Sequence, residues 1–286
     1  MEFPSLIPIT AGWSGDKKYC AIDESGQKFF LRITPPEKAE RAKKSFELQK
    51  EIHALGVPMC VPLECGDTED GFYTLQSWVE GEDAEECVPA MPIDVQYTLG
   101  VESGVILKRI HSIPAPDGAP DWETRFNAKI DRKIKGYYDC PVKYDGAEAF
   151  LEYLARNRSL LHGRPQCFQH GDYHIGNMMI ESGKLVIIDF DRFDYGDPWE
   201  EFNRIVWCAQ SAPRFAAGMV DGYFDGTVPM EFWRLLALYI SSNTLSSIPW
   251  AIPFGEDEVK KFLDQAAEIL EWYNGMKSVV PSWYSK

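Results

Sequence analysis

The sequence lacks long apolar runs, and none approaches the ~18 residues needed to cross a membrane. Its first residues, MEFPSLIPITAGW, lack the basic segment and long apolar core of a signal peptide. Basic residues are scarce relative to acidic ones, 29 against 44, which gives a formal net charge of −15. An acidic surface repels phosphates and anionic lipids, so we expect neither nucleic acid nor a membrane as a partner. It favours a cationic substrate, although many proteins are simply acidic.

Paired cysteine motifs are also missing. The cysteines are Cys20, Cys60, Cys65, Cys87, Cys140, Cys167 and Cys208. Their number is odd, they are scattered, and no C-x-x-C occurs, which argues against a disulfide framework and a zinc knuckle. We therefore expect reduced thiols and a cytoplasmic location. With 286 residues, 45% of them hydrophobic, the chain is long enough for one large domain or two lobes.

The first part of the chain has strand-like segments around one helix. Residues 18–22 and 28–33 read as strands joined by the turn 23-DESG-26, which predicts a hairpin. Residues 37–55 have a helical pattern that ends at a glycine followed by a proline. Residues 72–79 read as another strand. This order of strand, strand, helix and strand predicts a small lobe with an antiparallel sheet and one helix.

The rest of the chain is mostly helical. Near the C-terminus, apolar residues repeat at i, i+3, i+4 and i+7, first from Phe232 to Tyr239 and then from Val259 to Tyr273. The sequence therefore predicts an α+β fold with two lobes, residues 1–79 and residues 80–286, joined by a short hinge.

Polar residues concentrate in 168-FQHGDYHIGNMMI-180. His170, Asp172 and His174 alternate, and on a regular strand all three would point the same way, as ligands of a zinc ion could. Gly171 and Gly176 interrupt such a strand, and the other histidines lie elsewhere. A zinc hydrolase is therefore the weaker alternative for this stretch.

Phosphoryl transfer explains the stretch better. The spacing from Asp172 to Asn177 matches the D-x-x-x-x-N of a kinase catalytic loop. The apolar run 185-LVIIDF-190 then delivers Asp189 at its end, with Asp191 where a kinase Asp-Phe-Gly element has glycine. Phosphoryl transfer needs a carboxylate for the attacking hydroxyl and hard oxygen ligands for Mg²⁺. Each element alone is common, but their order and closeness together favour this chemistry.

These motifs resemble the aminoglycoside phosphotransferase / choline kinase-like family. The resemblance covers most of the chain, because 104-GVILKRIHS-112 and Gly196-Asp197-Pro198 are also similar to family elements. It implies a bilobal, protein-kinase-like fold, with nucleotide bound in residues 1–79, and phosphorylation of a small-molecule hydroxyl with Mg²⁺ and ATP. The sequence does not distinguish ATP from GTP.

The resemblance implies roles for individual residues. Asp172 would be the catalytic base, with His174 bracing the same loop, and Asn177 and Asp189 would hold magnesium. We expect His170 to hold the loop by hydrogen bonds. In the small lobe, Ser14 and Gly15 would cover the phosphates. The backbone from Ser77 to Val79 would take the adenine, in a pocket lined by Gln76, Trp78 or Leu75.

One position departs from the family pattern. The strand position that carries a phosphate-pairing lysine in this fold is Arg32, and arginine does not replace lysine neutrally. Lys28 shares its face but lies at the strand start. The expected partner of Arg32 is a helix glutamate, Glu47 rather than Glu51, unless both are solvated. The substitution leaves a catalytically silent nucleotide-binding protein as an alternative function.

The acceptor is predicted only as a class. Asp189 and Pro198 are nine positions apart, which leaves no room for the peptide platform of a protein kinase and favours a small molecule. Candidate acceptor contacts are Asp194, Glu200, Glu201 and Trp250. Acidic and aromatic groups suit an amine-bearing acceptor such as an aminoglycoside or amino alcohol. The alternative is that these residues are helix core and solvated surface. The sequence does not indicate the oligomeric state.

Overall fold

A computed structural model describes residues 3–10 and 15–284. Contacts between residues divide the chain into two units. The first unit contains the chain up to Cys87, His170–Asp172 and Gly176–Phe193. The second contains Val88–Gln169, Tyr173–Ile175 and the chain from Asp194 onwards. The boundary between residues 79 and 80, with a nucleotide role before it and a substrate role after it, stays a prediction.

A five-stranded antiparallel sheet forms the first unit's main layer. Its strands are β1 (Ser5–Pro8), β2 (Lys17–Ile22), β3 (Lys28–Thr34), β4 (Pro62–Thr68) and β5 (Gly71–Ser77), in the order β1-β2-β3-β5-β4. The predicted hairpin is confirmed: Ile22 pairs with Lys28 and Lys18 with Arg32. Gly26 supplies the turn's positive φ of 85°. Ala21, Phe29, Leu31 and Leu75 pack together as one buried cluster on this sheet.

The two edge strands were not predicted. The sequence pattern indicates three strands before residue 80, and β1 and β4 are additional. Leu6 and Ile7 of β1 are exposed, so this strand has no buried face to create a periodic pattern. β4 contains proline, glycine and aspartate, which are depleted in strands. Edge position tolerates such residues because one side of the strand needs no ladder hydrogen bonds.

Two helices and a small second sheet also belong to the described part of the first unit. Helix α1 spans Ala39–Ala54 after a single 3₁₀ turn at Pro36–Lys38, close to the predicted 37–55. The small sheet has β6 (Glu82–Asp83) next to β8 (Met178–Glu181) and β9 (Lys184–Ile187), and α2 (Ala84–Cys87) follows β6. Ser182 and Gly183 form the turn of the β8–β9 hairpin, and both residues adopt positive φ, as a two-residue turn requires.

Helices dominate the second unit. They are α3 (Ile93–Ile110), α4 (Trp122–Asp139), α5 (Ala147–Asn157), α6 (Ile205–Ser211), α7 (Pro213–Tyr223), α8 (Met230–Ala251) and α9 (Glu256–Trp272). β7 (Cys167–Gln169) pairs antiparallel with β10 (Asp194–Gly196). The two predicted C-terminal helices are confirmed as α8 and α9. None of the helices in the described ranges combines the length and apolar character needed to cross a membrane.

Helices α3 and α7 pack with their backbones in close approach. A Cβ atom on Gly104 would lie 2.1 Å from the carbonyl oxygen of Met219, and one on Gly218 would lie 2.2 Å from that of Tyr97. Gly100 and Gly222 meet the facing helix in the same way. Two glycines four residues apart on each helix therefore create the flat faces that this crossing needs.

A buried ionic network fixes the segment after β10. Asp197 has no exposed surface and accepts hydrogen bonds from Arg164 at 2.7 Å and from the Tyr239 hydroxyl at 2.6 Å. The Trp199 backbone N–H is a further donor, at 2.9 Å. These donors satisfy the buried carboxylate and offset the cost of removing it from water.

Candidate active site

Gly171 allows the polar loop to turn directly after β7. Its φ is +85°, and a Cβ atom there would lie 2.2 Å from the carbonyl oxygen of Arg192. Only glycine combines this backbone conformation with so close an approach. The turn allows Asp172 to leave the strand direction, so His170, Asp172 and His174 do not share the single face that the zinc alternative needs.

His170 braces the loop, as predicted. Its ring is fully buried and lies 4.5 Å from the Phe190 ring, measured between centroids. Nδ1 accepts a hydrogen bond from the Asp172 backbone N–H at 3.3 Å, and Nε2 lies 2.9 Å from the Ile188 carbonyl oxygen. These two contacts require the neutral tautomer with its proton on Nε2. His170 therefore connects the backbone of Asp172 to the strand end that carries Asp189.

The middle of the loop belongs to the second unit and is anchored there. Tyr173 is fully buried, and its hydroxyl donates to the carbonyl oxygen of Ser103 in α3 at 2.8 Å. The Ile175 N–H donates to the Sγ of Cys208 in α6 at 3.3 Å. The His174 ring lies 6.1 Å from the Trp207 ring. The predicted role of His174, which is to brace the catalytic loop beside Asp172, stays a prediction.

Asp172 and Asn177 are tied together at the two ends of the loop. The Asn177 side-chain nitrogen donates to the Asp172 carbonyl oxygen at 2.8 Å, which turns the amide oxygen the other way. The Asp172 carboxylate is mostly buried and lies 3.6 Å from Nη1 of Arg192. Arg192 was not predicted, and only its position three residues after Asp189 could have suggested it.

Asp189 follows β9 in an unusual backbone conformation. Its φ of 63° and ψ of 61° are left-handed values, which are sparsely populated by residues other than glycine. Just before it, the Ile188 N–H donates to the Asn177 carbonyl oxygen at 3.0 Å and continues the β8–β9 pairing. The hairpin thus positions Asn177 and Asp189 on neighbouring strand ends.

A cavity of about 560 Å³ in the first unit brings several predicted residues together. Arg32, Asn177, Asp189, Ser77 and Val79 all line it. Of the three residues predicted as alternatives for the lining, Gln76 and Trp78 line it as well, whereas Leu75 lies in the buried cluster of the sheet. Gly15 is exposed and does not line this cavity, and Ser14 lies outside the described residues.

Arg32 has a different set of partners from the one predicted. Its guanidinium is 3.3 Å from Asp189 and 3.9 Å from Asp16, and it contacts the Asp191 carboxylate directly. The expected partner Glu47 is instead exposed and paired with Lys50 at 2.9 Å, so that pairing was wrong. The helix phase explains the error, because Glu47 falls on the solvent side of α1.

The cavity-facing side of α1 is neutral. Ser45 and Gln49 are buried there, and the Gln49 Nε2 donates to the Ser45 hydroxyl at 3.1 Å. Gln76 of β5 donates to the Gln49 side-chain oxygen. A glutamine network therefore occupies the helix position where an ion pair with Arg32 was expected. Ser45 and Gln49 lie on the same side of α1 as buried Ile52. This helical spacing could have identified them as cavity-side residues.

The predicted acceptor contacts lie in the second unit with partners of their own. Asp194 lies 3.5 Å from Arg125, and Glu200 is paired with Lys129 at 3.0 Å. Glu201 is buried at 2% exposure near His111. Trp250 is exposed and lies 4.7 Å from the Phe254 ring. Two of the carboxylates predicted to bind an amine are thus already matched by cations of α4.

Positive charge is concentrated around Glu200. Burial would raise the pKa of Glu200, but Lys129, Lys133 and Arg204 together outweigh it, and the pKa lies below its ordinary value. Burial lowers the pKa of Lys133 to about 7, with Lys129 as a further contribution in the same direction. The Lys133 amine lies 3.4 Å from the Asn243 side-chain oxygen of α8.

The donor set fits magnesium. Asn177 and Asp189 line one cavity and supply amide and carboxylate oxygens, and Mg²⁺ is commonly held by one or two such groups plus phosphate oxygens and water. In the parts of the chain that the structure describes, no three His, Cys, Asp or Glu side chains are grouped so that they could hold a metal ion. The zinc alternative therefore lacks a ligand set in these ranges.

A family model decides the classification. The model of the phosphotransferase enzyme family matches residues 5–233, most of the chain. The chain belongs to this family. The predicted family membership is thus confirmed, and the protein is a phosphotransferase. None of the curated protein sequences matches it significantly.

Solved structures agree on the fold of this phosphotransferase. APH(2")-IIa in complex with gentamicin aligns with a TM-score of 0.63 at 16% identity, covering 93% of this chain and 92% of that one. ADP-bound aminoglycoside phosphotransferase APH(2'')-Ib aligns with a TM-score of 0.65 at 16% identity, covering 94% and 95%. A choline/ethanolamine kinase family protein from Mesorhizobium loti gives 0.66 at 16% identity, covering 96% and 91%. The predicted α+β, kinase-like fold is confirmed.

Proposed function

We propose that this phosphotransferase transfers a phosphoryl group from Mg-ATP to a hydroxyl of a small molecule. The observation that carries the proposal is the tie between Asp172 and Asn177, with Asp189 on the neighbouring strand end. Asp172 would orient the attacking hydroxyl and accept its proton. Asn177 and Asp189 would hold Mg²⁺, which when bound neutralises charge on the transferred phosphoryl group.

Features of the cavity favour the binding of a nucleotide beside these residues. The Ser77 N–H is already bonded to the Val61 carbonyl oxygen at 2.9 Å, and the Glu80 N–H to the Glu181 carboxylate at 2.7 Å. Between them, Trp78 and Val79 line the cavity. Their backbone groups would bind the adenine edge. Similar structures were solved with ADP and with streptomycin and ATP, which supports ATP as the donor here.

A small acceptor is supported by the short segment after Asp189. Only a 3₁₀ turn at Phe190–Arg192 and strand β10 separate Asp189 from the buried Asp197 network. The pairing of Asp194 and Glu200 with α4 cations weakens the case for recognition of an amine by these two carboxylates. We therefore keep the acceptor class broad: amino alcohols and aminoglycosides, but also neutral and anionic hydroxyl compounds.

The test is a nucleotide-consumption screen with Mg²⁺ over hydroxylated amines, sugars, hydroxy acids and antibiotics, with ATP and GTP as separate donors. Asp172→Ala is the blank, and product is verified by phosphorus NMR. Acceptor-dependent ATP consumption that disappears in the blank supports the proposal. Equal consumption by the blank contradicts the role of Asp172.

The alternative, nucleotide binding without transfer, is favoured by one observation. Arg32 replaces lysine and pairs with Asp189, the residue that would hold the metal. Binding of Mg-ATP without transfer to any acceptor or to water, in repeated preparations, would support this alternative. A slow Mg²⁺-dependent ATP hydrolysis that is lost in Asp189→Ala would contradict it.

A further inference from the structure

Arg32 is a poor candidate for the phosphate-binding cation of this cavity. It is 8% exposed, and three carboxylates face it: Asp16, Asp189 and Asp191. One guanidinium charge among three carboxylates leaves the surroundings of Arg32 net negative, which is unfavourable for a phosphate chain. A polyphosphate entering the same space would meet these carboxylates as well, so it needs another cation.

Lys18 is the second cation of the cavity. Among the described residues, Lys18 and Arg32 are the two basic side chains that line it. The register of β2 and β3 pairs Lys18 directly with Arg32, so both side chains project from the same face of the sheet. Phe30 lies two residues before Arg32 in β3 and lines the cavity too, as expected because alternate residues of a strand point to the same face.

The electrostatics agree with this geometry. The pKa of Lys18 lies below its ordinary value because of burial first and the positive charge of Arg32 second, while Asp189 and Asp16 act in the opposite direction. Lys18 therefore belongs to the same charge cluster as Arg32 and the carboxylate that would hold magnesium. An ammonium on a flexible stem can follow a phosphate chain where a fixed guanidinium cannot.

We infer that Lys18 on β2 contacts the phosphate chain of the bound nucleotide, and that Arg32 on β3 instead holds Asp16, Asp189 and Asp191 in place. This inference rests on the proposed function, because it requires a nucleoside triphosphate in the cavity. The phosphate contact then comes from β2, the strand next to β3. This explains how arginine in place of lysine at position 32 is compatible with phosphoryl transfer.

The inference is tested by calorimetric titration of the full chain with Mg-ATP, Mg-ADP and adenosine. Lys18→Met should weaken Mg-ATP binding by about ten- to hundredfold, the effect of losing a charge-assisted contact, and leave adenosine binding unchanged. Lys18→Arg should recover at least part of the loss. Lys28→Met is the matched control, since Lys28 lies on the same strand face as Arg32 but pairs with exposed Glu80 at 2.7 Å.

The outcomes separate the inference from the function. Unchanged Mg-ATP affinity in Lys18→Met, while the wild type binds Mg-ATP, overturns the inference and leaves the proposed function standing. Equal losses for ATP and adenosine also overturn it, because they indicate general damage to the cavity. If Lys18→Met does not fold, Lys18→Gln is titrated in its place. A wild-type chain that binds no Mg-ATP contradicts the proposed function and the inference together.

Discussion

The Asn177 side-chain nitrogen lies 2.8 Å from the Asp172 carbonyl oxygen and donates a hydrogen bond to it. This bond closes the loop and sets the orientation of the Asn177 amide, so that one side chain both shapes the loop and presents an oxygen to the cavity. It also connects the residue proposed as base to a residue proposed as metal ligand.

Asn177→Ala should therefore impair more than metal binding. We expect kcat/KM to fall by roughly 10- to 100-fold, with a higher Mg²⁺ concentration needed for half-maximal rate. Asn177→Asp retains an oxygen but loses the donated hydrogen bond. Its Mg²⁺ requirement should therefore be close to that of the wild type, while its rate should stay lower. A magnesium titration of the steady-state rate measures both. Identical Mg²⁺ requirements in wild type and Asn177→Ala would contradict the ligand role.

His170→Ala should destabilise the fold and disturb the loop. It leaves the Asp172 N–H and the Ile188 carbonyl without their partner in a fully buried place, a cost of about 2–5 kcal/mol in the free energy of unfolding. Urea denaturation measures it. His162→Ala is the control, since the His162 side chain is 83% exposed, and its change should stay within about 0.5 kcal/mol. Equal effects of the two variants would refute the brace.

Helix packing in the second unit predicts opposite effects for two glycine substitutions. Gly104→Ala drives a Cβ into the Met219 carbonyl and should cost about 1–3 kcal/mol of unfolding free energy. Gly136→Ala in α4 meets no atom within 4 Å and should stabilise by about 0.5–1 kcal/mol through helix propensity. Thermal melts of both variants check the sign. A neutral Gly104→Ala would contradict the close crossing of α3 and α7.

Lys133 should make stability depend on pH. Its folded-state pKa is about 7 and the ordinary lysine value is 10.5, so between these limits the unfolded chain binds more protons than the folded one. Stability attributable to Lys133 therefore rises with pH through this window. Lys133→Met should be more stable than wild type at pH 6–7, and the difference should shrink towards pH 10.

The control for this prediction is Lys135→Met on the same helix, where the side chain is 76% exposed and paired with Asp139. Its stability difference from wild type should not change with pH over the same range. Urea denaturation at several pH values gives both comparisons. A Lys133→Met difference that is flat from pH 6 to pH 10 would contradict the lowered pKa.

Periodicity and turn residues predicted much of the fold. The β2–β3 hairpin follows from its turn at Gly26, and α8 and α9 follow from their apolar spacing, because local backbone preferences and burial agree at these places. The edge strands β1 and β4 could not be predicted in this way, since exposed strands with proline and glycine have no alternating pattern.

The placement of candidate site residues was predictable where it follows from a motif, while their roles stay predictions. Asp172, Asn177 and Asp189 come from one loop and one hairpin, so sequence spacing constrains them. The carboxylates around Arg32 do not follow from spacing, because the left-handed turn at Asp189 and the 3₁₀ turn after it direct Asp191. Glu47 was predicted from its charge, but it lies on the solvent side of α1, and the helix phase places Gln49 on the cavity side.

The most direct test of the central claim compares Asp172→Asn with wild type in single-turnover transfer from Mg-ATP, to the acceptor found in the screen or to water. Asp70→Asn, an exposed carboxylate paired with Lys17, is the control and should behave as wild type. We predict that Asp172→Asn binds Mg-ATP normally while its transfer rate falls by about 10²- to 10⁴-fold, the usual contribution of a general base. Transfer at the wild-type rate in Asp172→Asn would contradict the account.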